Sequence, residues 1–182
     1  MDFDTLARMR QSDRAYDPTR PVDRALIDQI VETALQAPSA CNAQPYKIVI
    51  VDDKTLAGQV ADCTSDRVLG MNHFTKQAPV HILIIEEKGN VTSTIGSFVK
   101  EKHFSWIDAG ILASYICLAA RDKGLGSCIL GWFQEKKLKK LLAIPTGKRV
   151  LLDIVIGYST QPLREKKRKK TDTVVNRNEY KK

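Results

Sequence analysis

The chain has 182 residues, 43% hydrophobic and 27% charged, which suits one soluble globular domain rather than a fibrous or disordered chain. No apolar run approaches the roughly 20 residues that span a bilayer, and the acidic start Met-Asp-Phe-Asp lacks the features of a secretion signal, so a cytoplasmic location is the default expectation. The formal charge of +8 is uneven: residues 163–182 hold nine Lys or Arg against three Asp or Glu, leaving only +2 on the other 162 residues, which argues against a nucleic-acid-binding face spread over the domain.

In chain order, Phe3, Leu6, Ala7 and Met9 recur at helical spacing and predict a short helix over 2–11. Arg10-Gln-Ser-Asp-Arg14 follows, with two guanidinium groups flanking a hydroxyl. Guanidinium forks fit phosphate oxygens, so this is either an anion clamp or a solvated helix end. After Pro21, residues Leu26, Ile27, Ile30, Val31, Ala34 and Leu35 give a second helix, about 22–36, one wide apolar face. Ala37-Pro-Ser-Ala-Cys-Asn-Ala-Gln-Pro-Tyr46 ends it. Pro38 and Pro45 lack backbone donors and hold φ near −65°, so the segment must be a stiff loop. Its Ser39, Asn42 and Gln44 can bond the polar edge of a flat ligand or close the loop on itself as turns.

Residues 46–52 form a β-branched run typical of a strand covered on both sides. A helix is expected over about 54–63, a loop with short helices over 64–78, and a buried strand over 80–86. The polar stretch 87–103 reads as an exposed, mobile excursion that borders a pocket. A long helix over about 104–123 is apolar around most of its circumference, which requires burial in a domain centre or a subunit interface. Gly124-Leu-Gly126 caps it. A strand over 127–131, a helix over 134–143, a strand over 149–157, the basic run 164–170 and a short strand or extended arm over 172–180 complete the chain. This order implies a mixed central sheet with helices on both faces, in one domain over 1–182 with a basic arm at about 163–182.

Cys41, Cys63, Cys117 and Cys128 form no C-x-x-C pair, and His73, His81 and His103 have no metal spacing. Cys117 and Cys128 read as small buried hydrophobes, and His81, inside an apolar strand, as a satisfied core residue. No metal is expected. Dinucleotide-binding, P-loop and nucleophile-elbow motifs are missing.

Taken as an ordered set, Arg10-Gln-Ser-Asp-Arg14, Ala37–Tyr46, Asp108-Ala-Gly-Ile, Leu118-Ala-Ala-Arg-Asp-Lys-Gly-Leu-Gly126, Leu142-Ala-Ile-Pro145, Ile156-Gly157, the basic run and Val174–Tyr180 resemble the nitroreductase family of flavin mononucleotide (FMN) enzymes. The resemblance implies an α+β fold and an intertwined homodimer with two FMN sites at its interface, the long helix in the dimer core and the C-terminal arm across the partner. It assigns Arg10, Gln11, Ser12 and Arg14, with Lys166 and Arg168 from the tail, to the FMN phosphate. Pro38, Ser39 and Ala40 lie along the isoalloxazine, Asn42 and Gln44 at its pyrimidine edge, and the Leu130–Gly131 backbone at the hydride-accepting nitrogen. Tyr46 stands where the family often has Trp, and Leu130 where many members carry glutamate. Gln11 and Asp13 replace more usual basic and apolar residues, which is expected to weaken the phosphate clamp slightly.

The implied activity is NAD(P)H-dependent flavin oxidoreduction. Hydride passes from NADH or NADPH to the flavin and then to an electron-poor acceptor such as a nitroaromatic or quinone. The cofactor carries the chemistry, so no protein acid or nucleophile is needed. Two other readings are a flavin-binding or sensing protein without turnover and a nucleic-acid binder using the basic tail. Against the latter, aromatic residues are not interleaved with the basic ones. Neither nucleic acid nor membrane is an expected partner.

Overall fold

The structure, a computed structural model, describes residues 1–66, 70–88 and 103–180. The expected excursion at 87–103 therefore lies outside the described residues except at its ends. Aspartates start three of the helices, each accepting a backbone N–H with its side chain. Asp2 caps α1 (Phe3–Met9), Asp23 caps α2 (Arg24–Ala34) and Asp53 caps α3 (Lys54–Thr64). The strands are β1 (Tyr46–Val51), β2 (Val80–Glu86), β3 (Gly126–Leu130) and β4 (Val150–Gly157). Between them lie α4 (Phe104–Asp122) and α5 (Glu135–Leu141), and a single turn, α6 (Thr171–Val174), interrupts the tail.

The strand order is β1-β2-β4-β3, with every pair antiparallel. The α+β class and helices on both faces agree with expectation, but the sheet within one chain is not mixed. Alternating helices and strands suggest parallel crossovers, yet Val51 pairs with His81, so β2 starts at the end of the sheet where β1 stopped. Among the described residues the one parallel contact is an isolated bridge between Ser12 and Ser127.

The strand pleat sorts the core into two sides. Val80, Ile82, Ile84, Ile154 and Ile156 pack with Ile27 and Ile30 of α2 and with Leu112 and Ile116 of α4. Leu83, Ile85, Val51 and Val150 pack with Ala57 and Val60 of α3 and Leu138 of α5. α4 is only half covered: Leu112, Ala113, Ile116 and Ala120 are fully buried, whereas Trp106, Ile107 and Tyr115 are exposed. Among the described residues no helix is long and apolar enough to cross a membrane. Residues 175–180 form no strand and are exposed throughout, and the helical turn Thr171–Val174 with the bends at 177–179 breaks an extended course over 172–180. Val174 and Val175 are exposed.

His81 is a core residue, as expected, but only half satisfied. It and Asp153 have no exposed surface, and Nδ1 lies 2.8 Å from Asp153 Oδ2, while His81 Nε2 and Asp153 Oδ1 have no partner. Such a pair is sensitive to losing one member, because the other is left buried without its bond. Asp153→Ala is expected to lower the unfolding free energy by about 2 kcal/mol or more in urea denaturation. The double replacement His81→Leu/Asp153→Leu should recover most of that loss.

Candidate functional site

The segment Arg10–Arg14 runs along the end of the sheet and is fastened there by Asp13. That carboxylate is fully buried and accepts four hydrogen bonds. Gln11 Nε2 (2.9 Å) and Ser159 Oγ (2.7 Å) donate to Oδ1, and Ser127 N (3.3 Å) and Arg121 Nη2 (3.5 Å) donate to Oδ2. The Asp13 N–H in turn donates to Ser127 O at 2.9 Å. The approach is so close that a Cβ on Gly126 would sit 2.7 Å from Asp13 Oδ2. Gly124, at φ +78°, ends α4, with Leu125 N–H donating to Ala120 O and Gly124 N–H to Arg121 O. The expected cap is thus Gly124, and Gly126 has the separate task of admitting Asp13.

The polar departures at 11 and 13 therefore belong to the framework. Gln11 is buried, and both of its amide hydrogens are used, on Asp13 and on Pro162 O, while its Oε1 accepts from Arg164 N. Contrary to the expectation of a side chain lent to a ligand, Gln11 joins the N-terminal segment to the start of the tail.

That junction gathers cations. Arg164 Nη2 donates to Ser12 O at 2.9 Å and Lys166 Nζ donates to Ala7 O. Lys166 lies near enough to Arg10, Arg168, Arg121 and Arg8 that, with partial burial as the larger cause, its ammonium is held below the ordinary lysine value of 10.5. Arg14 Nη1 reaches back toward Ser12 O at 3.5 Å. Of the expected anion-binding residues, Arg10, Lys166 and Arg168 share one cluster, with Ser12 and Arg14 beside it. Arg8, Arg121 and Arg164 were missed. Arg121 stands within a recognised stretch but reads there only as a helix-end charge. The carboxylate facing this group, Asp13, takes Arg121 as one of its four donors, which leaves the other cations of the cluster suited to an anion from outside.

The second polar group is the loop 37–45. Cys41 (φ 52°), Asn42 (φ 50°) and Gln44 (φ 47°) are left-handed without being glycine, at a cost of order 1 kcal/mol each. Bonds inside the loop hold it: Asn42 N–H donates to Ser39 O (3.0 Å) and Gln44 N–H to Ser39 Oγ (3.0 Å). Gln44 Nε2 donates to both Asn42 O (3.0 Å) and Asn42 Oδ1 (3.2 Å). Gln44 thus orients Asn42, leaving the Asn42 NH₂ to point elsewhere. Pro38, Asn42 and Gln44 are exposed, and Ser39 and Ala40 half-buried. Leu130 is buried at the end of β3, with Gly131 exposed beside it.

The two groups do not meet within one chain. Ala40 N–H donates to Asp108 Oδ1 (3.1 Å) near the start of α4, whereas Arg121, at the basic cluster, is near its end. Thirteen residues of helix put these anchors about 20 Å apart.

The sequence profile of the Nitroreductase family matches residues 7–158. An iodotyrosine deiodinase from Thermotoga neapolitana is 27% identical over 177 residues, covering 86% of this chain and 88% of its own length. An FMN reductase [NAD(P)H] from Bacillus subtilis is 26% identical, covering 93% of this chain and 71% of its own. Among solved structures, an FMN-dependent nitroreductase from Clostridium difficile is 29% identical and superposes with a TM-score of 0.76 over 96% of this chain and 98% of its own. A profile match of this length, together with that fold and order of motifs, places the chain in the nitroreductase family.

Proposed function

We propose that this protein is an FMN-dependent oxidoreductase that takes hydride from NAD(P)H and passes it to a flat, electron-poor acceptor such as a nitroaromatic or quinone, acting as a homodimer. The observation that carries the reading is the set of cations near Lys166, namely Arg8, Arg10, Arg121 and Arg168, of which, among the described residues, Arg121 alone pairs with the buried Asp13. A phosphate monoester carries nearly two negative charges and accepts charge-assisted bonds from several such donors. The relatives named as FMN reductase and FMN-dependent nitroreductase support the same chemistry.

FMN, when bound, supplies the hydride acceptance and donation. The chain's own residues hold and orient it. Arg10, Ser12, Arg14, Lys166 and Arg168 grip the phosphate, with Arg121 and Arg164 alongside. Pro38, Ser39 and Ala40 line one face of the ring, and Asn42 donates to its pyrimidine edge with Gln44 fixing the amide's direction. The Leu130–Gly131 backbone offers an N–H toward the hydride-accepting nitrogen.

The homodimer reading is supported by the separation of the two grips: their anchors lie about 20 Å apart along α4, and we assign the ring loop and the phosphate cluster that serve one FMN to different copies. The uncovered side of α4 supports this. With Phe3 and Leu6 of α1, its Ile111, Tyr115 and Leu118 line a groove of about 620 Å³. The exposed arm carries apolar Val174, Val175 and Tyr180 that lack cover in their own chain.

Two outcomes are expected. Tyr115→Glu, on the uncovered stripe of α4, should yield a monomer in sedimentation and weaken FMN binding more than tenfold; a monomer with undiminished FMN affinity would overturn the shared site. Lys166 sets a pH dependence. In anion-free protein its folded-state value lies below the unfolded 10.5, so the unfolded chain binds more protons in that window and stability rises with pH. A bound phosphate favours the ammonium, so FMN affinity should fall as pH rises through the lowered value, and Lys166→Met should flatten that fall in a fluorescence titration.

A further inference from the structure

The ring loop rests on two buried polar groups that have unused bonding capacity. Asp108 is 3% exposed, with one carboxylate oxygen accepting the Ala40 N–H at 3.1 Å and the other, Oδ2, having no partner. The Tyr46 hydroxyl, where the loop becomes β1, is likewise buried without a partner. Asp108 is close enough that its charge joins burial in raising the phenol above its ordinary value. An acceptor lacking a donor, on the helix that anchors the loop, and a donor lacking an acceptor, where the loop enters β1, thus flank a loop with three left-handed residues. Buried polar atoms left this way carry an uncompensated desolvation cost, and unsatisfied groups of this kind call for an explanation.

We propose that Asp108 is the positioning residue of the ring-binding loop, and that Tyr46 becomes its second donor once the flavin is seated. The inference rests on the flavin reading above. The carboxylate already holds the Ala40 N–H one residue before the left-handed pair Cys41–Asn42, and so sets where the Asn42 amide points. When the ring presses on the loop, the Tyr46 hydroxyl and Asp108 Oδ2 close into one hydrogen bond. The cost of two orphaned groups in the empty protein is then relieved on binding, which adds to affinity for FMN and not to the stability of the unliganded fold. Asp108 does not touch the phosphate cluster, being about 20 Å along α4 from Arg121.

The test compares Asp108→Ala, Asp108→Asn and Tyr46→Phe with the native full-length protein. Asp108→Ala should weaken FMN at least tenfold while leaving affinity for inorganic phosphate within twofold. Asp108→Asn, whose side-chain carbonyl still accepts from Ala40 and whose NH₂ can donate to the Tyr46 oxygen in place of the reverse bond, should recover affinity to within threefold of native. Tyr46→Phe should weaken FMN several-fold, yet leave the melting temperature of FMN-free protein unchanged or higher, since an orphaned hydroxyl is removed. In FMN-free protein, hydrogen exchange at the Ala40 amide should accelerate in Asp108→Ala and not in Asp108→Asn. Native FMN affinity in Asp108→Ala, equal losses in the Asn and Ala variants, or a Tyr46→Phe protein destabilised without FMN would each overturn the proposal. A native protein that takes up no FMN would instead sink the flavin reading, and the Ala40 exchange rates would still decide whether Asp108 positions the loop.

Discussion

Asp13 is the point on which the arrangement of charge in this protein turns. A carboxylate with no exposed surface and four donors is costly to bury unless every lone pair is used. Here those donors come from the N-terminal segment, from β3, from the end of α4 and from the residue pair beyond β4. One side chain therefore ties together three stretches far apart in sequence, at residues 11–13, 121–127 and 159. Gly126 leaves room for it, and Gln11 extends the same network to Pro162 and Arg164. Asp13 engages Arg121 at 3.5 Å, while Arg8, Arg10, Lys166 and Arg168 near this junction form no ion pair among the described residues. The framework and the cationic group thus meet at Arg121.

α4 sets the spacing of everything else. Its buried side joins α2 to the sheet, its start anchors the ring loop through Asp108, and its end brings Arg121 to the cations. A helix of 19 residues holds these two ends about 20 Å apart. The same helix leaves Ile107 and Tyr115 exposed. The separation of the two polar groups and the uncovered apolar stripe are consequences of one element.

The ring loop and the His81–Asp153 pair show two uses of incompletely satisfied polar groups. In the loop, left-handed residues and an orphaned carboxylate oxygen occur beside exposed amides. The His81–Asp153 pair lies between strands with no exposed surface, and its remaining capacity is the cost of placing two polar side chains in an apolar sheet. Exposure, more than chemistry, separates the two cases.

The elements were legible from local patterns because their causes are local. The β-branched runs at 46–51, 80–86 and 150–157, the apolar face of α2 and the Asp caps act over a few residues. The stiff loop at 37–45 was legible for the same reason, since two prolines fix it wherever it lies. The antiparallel pairing was not, because the direction of a strand depends on how far the intervening chain returns. Nor was the role of Asp13 or Gln11, whose polarity in sequence suggests surface and most of whose partners are more than a hundred residues away. Arg8, Arg121 and Arg164 were hidden likewise: a charge has no periodicity, and only folding brings it within reach of others. What the sequence determined alone was a set of elements and two polar stretches. The tertiary structure decided that those stretches stand at opposite ends of one helix, because burial of that helix, and not the chemistry of either stretch, sets the distance between them.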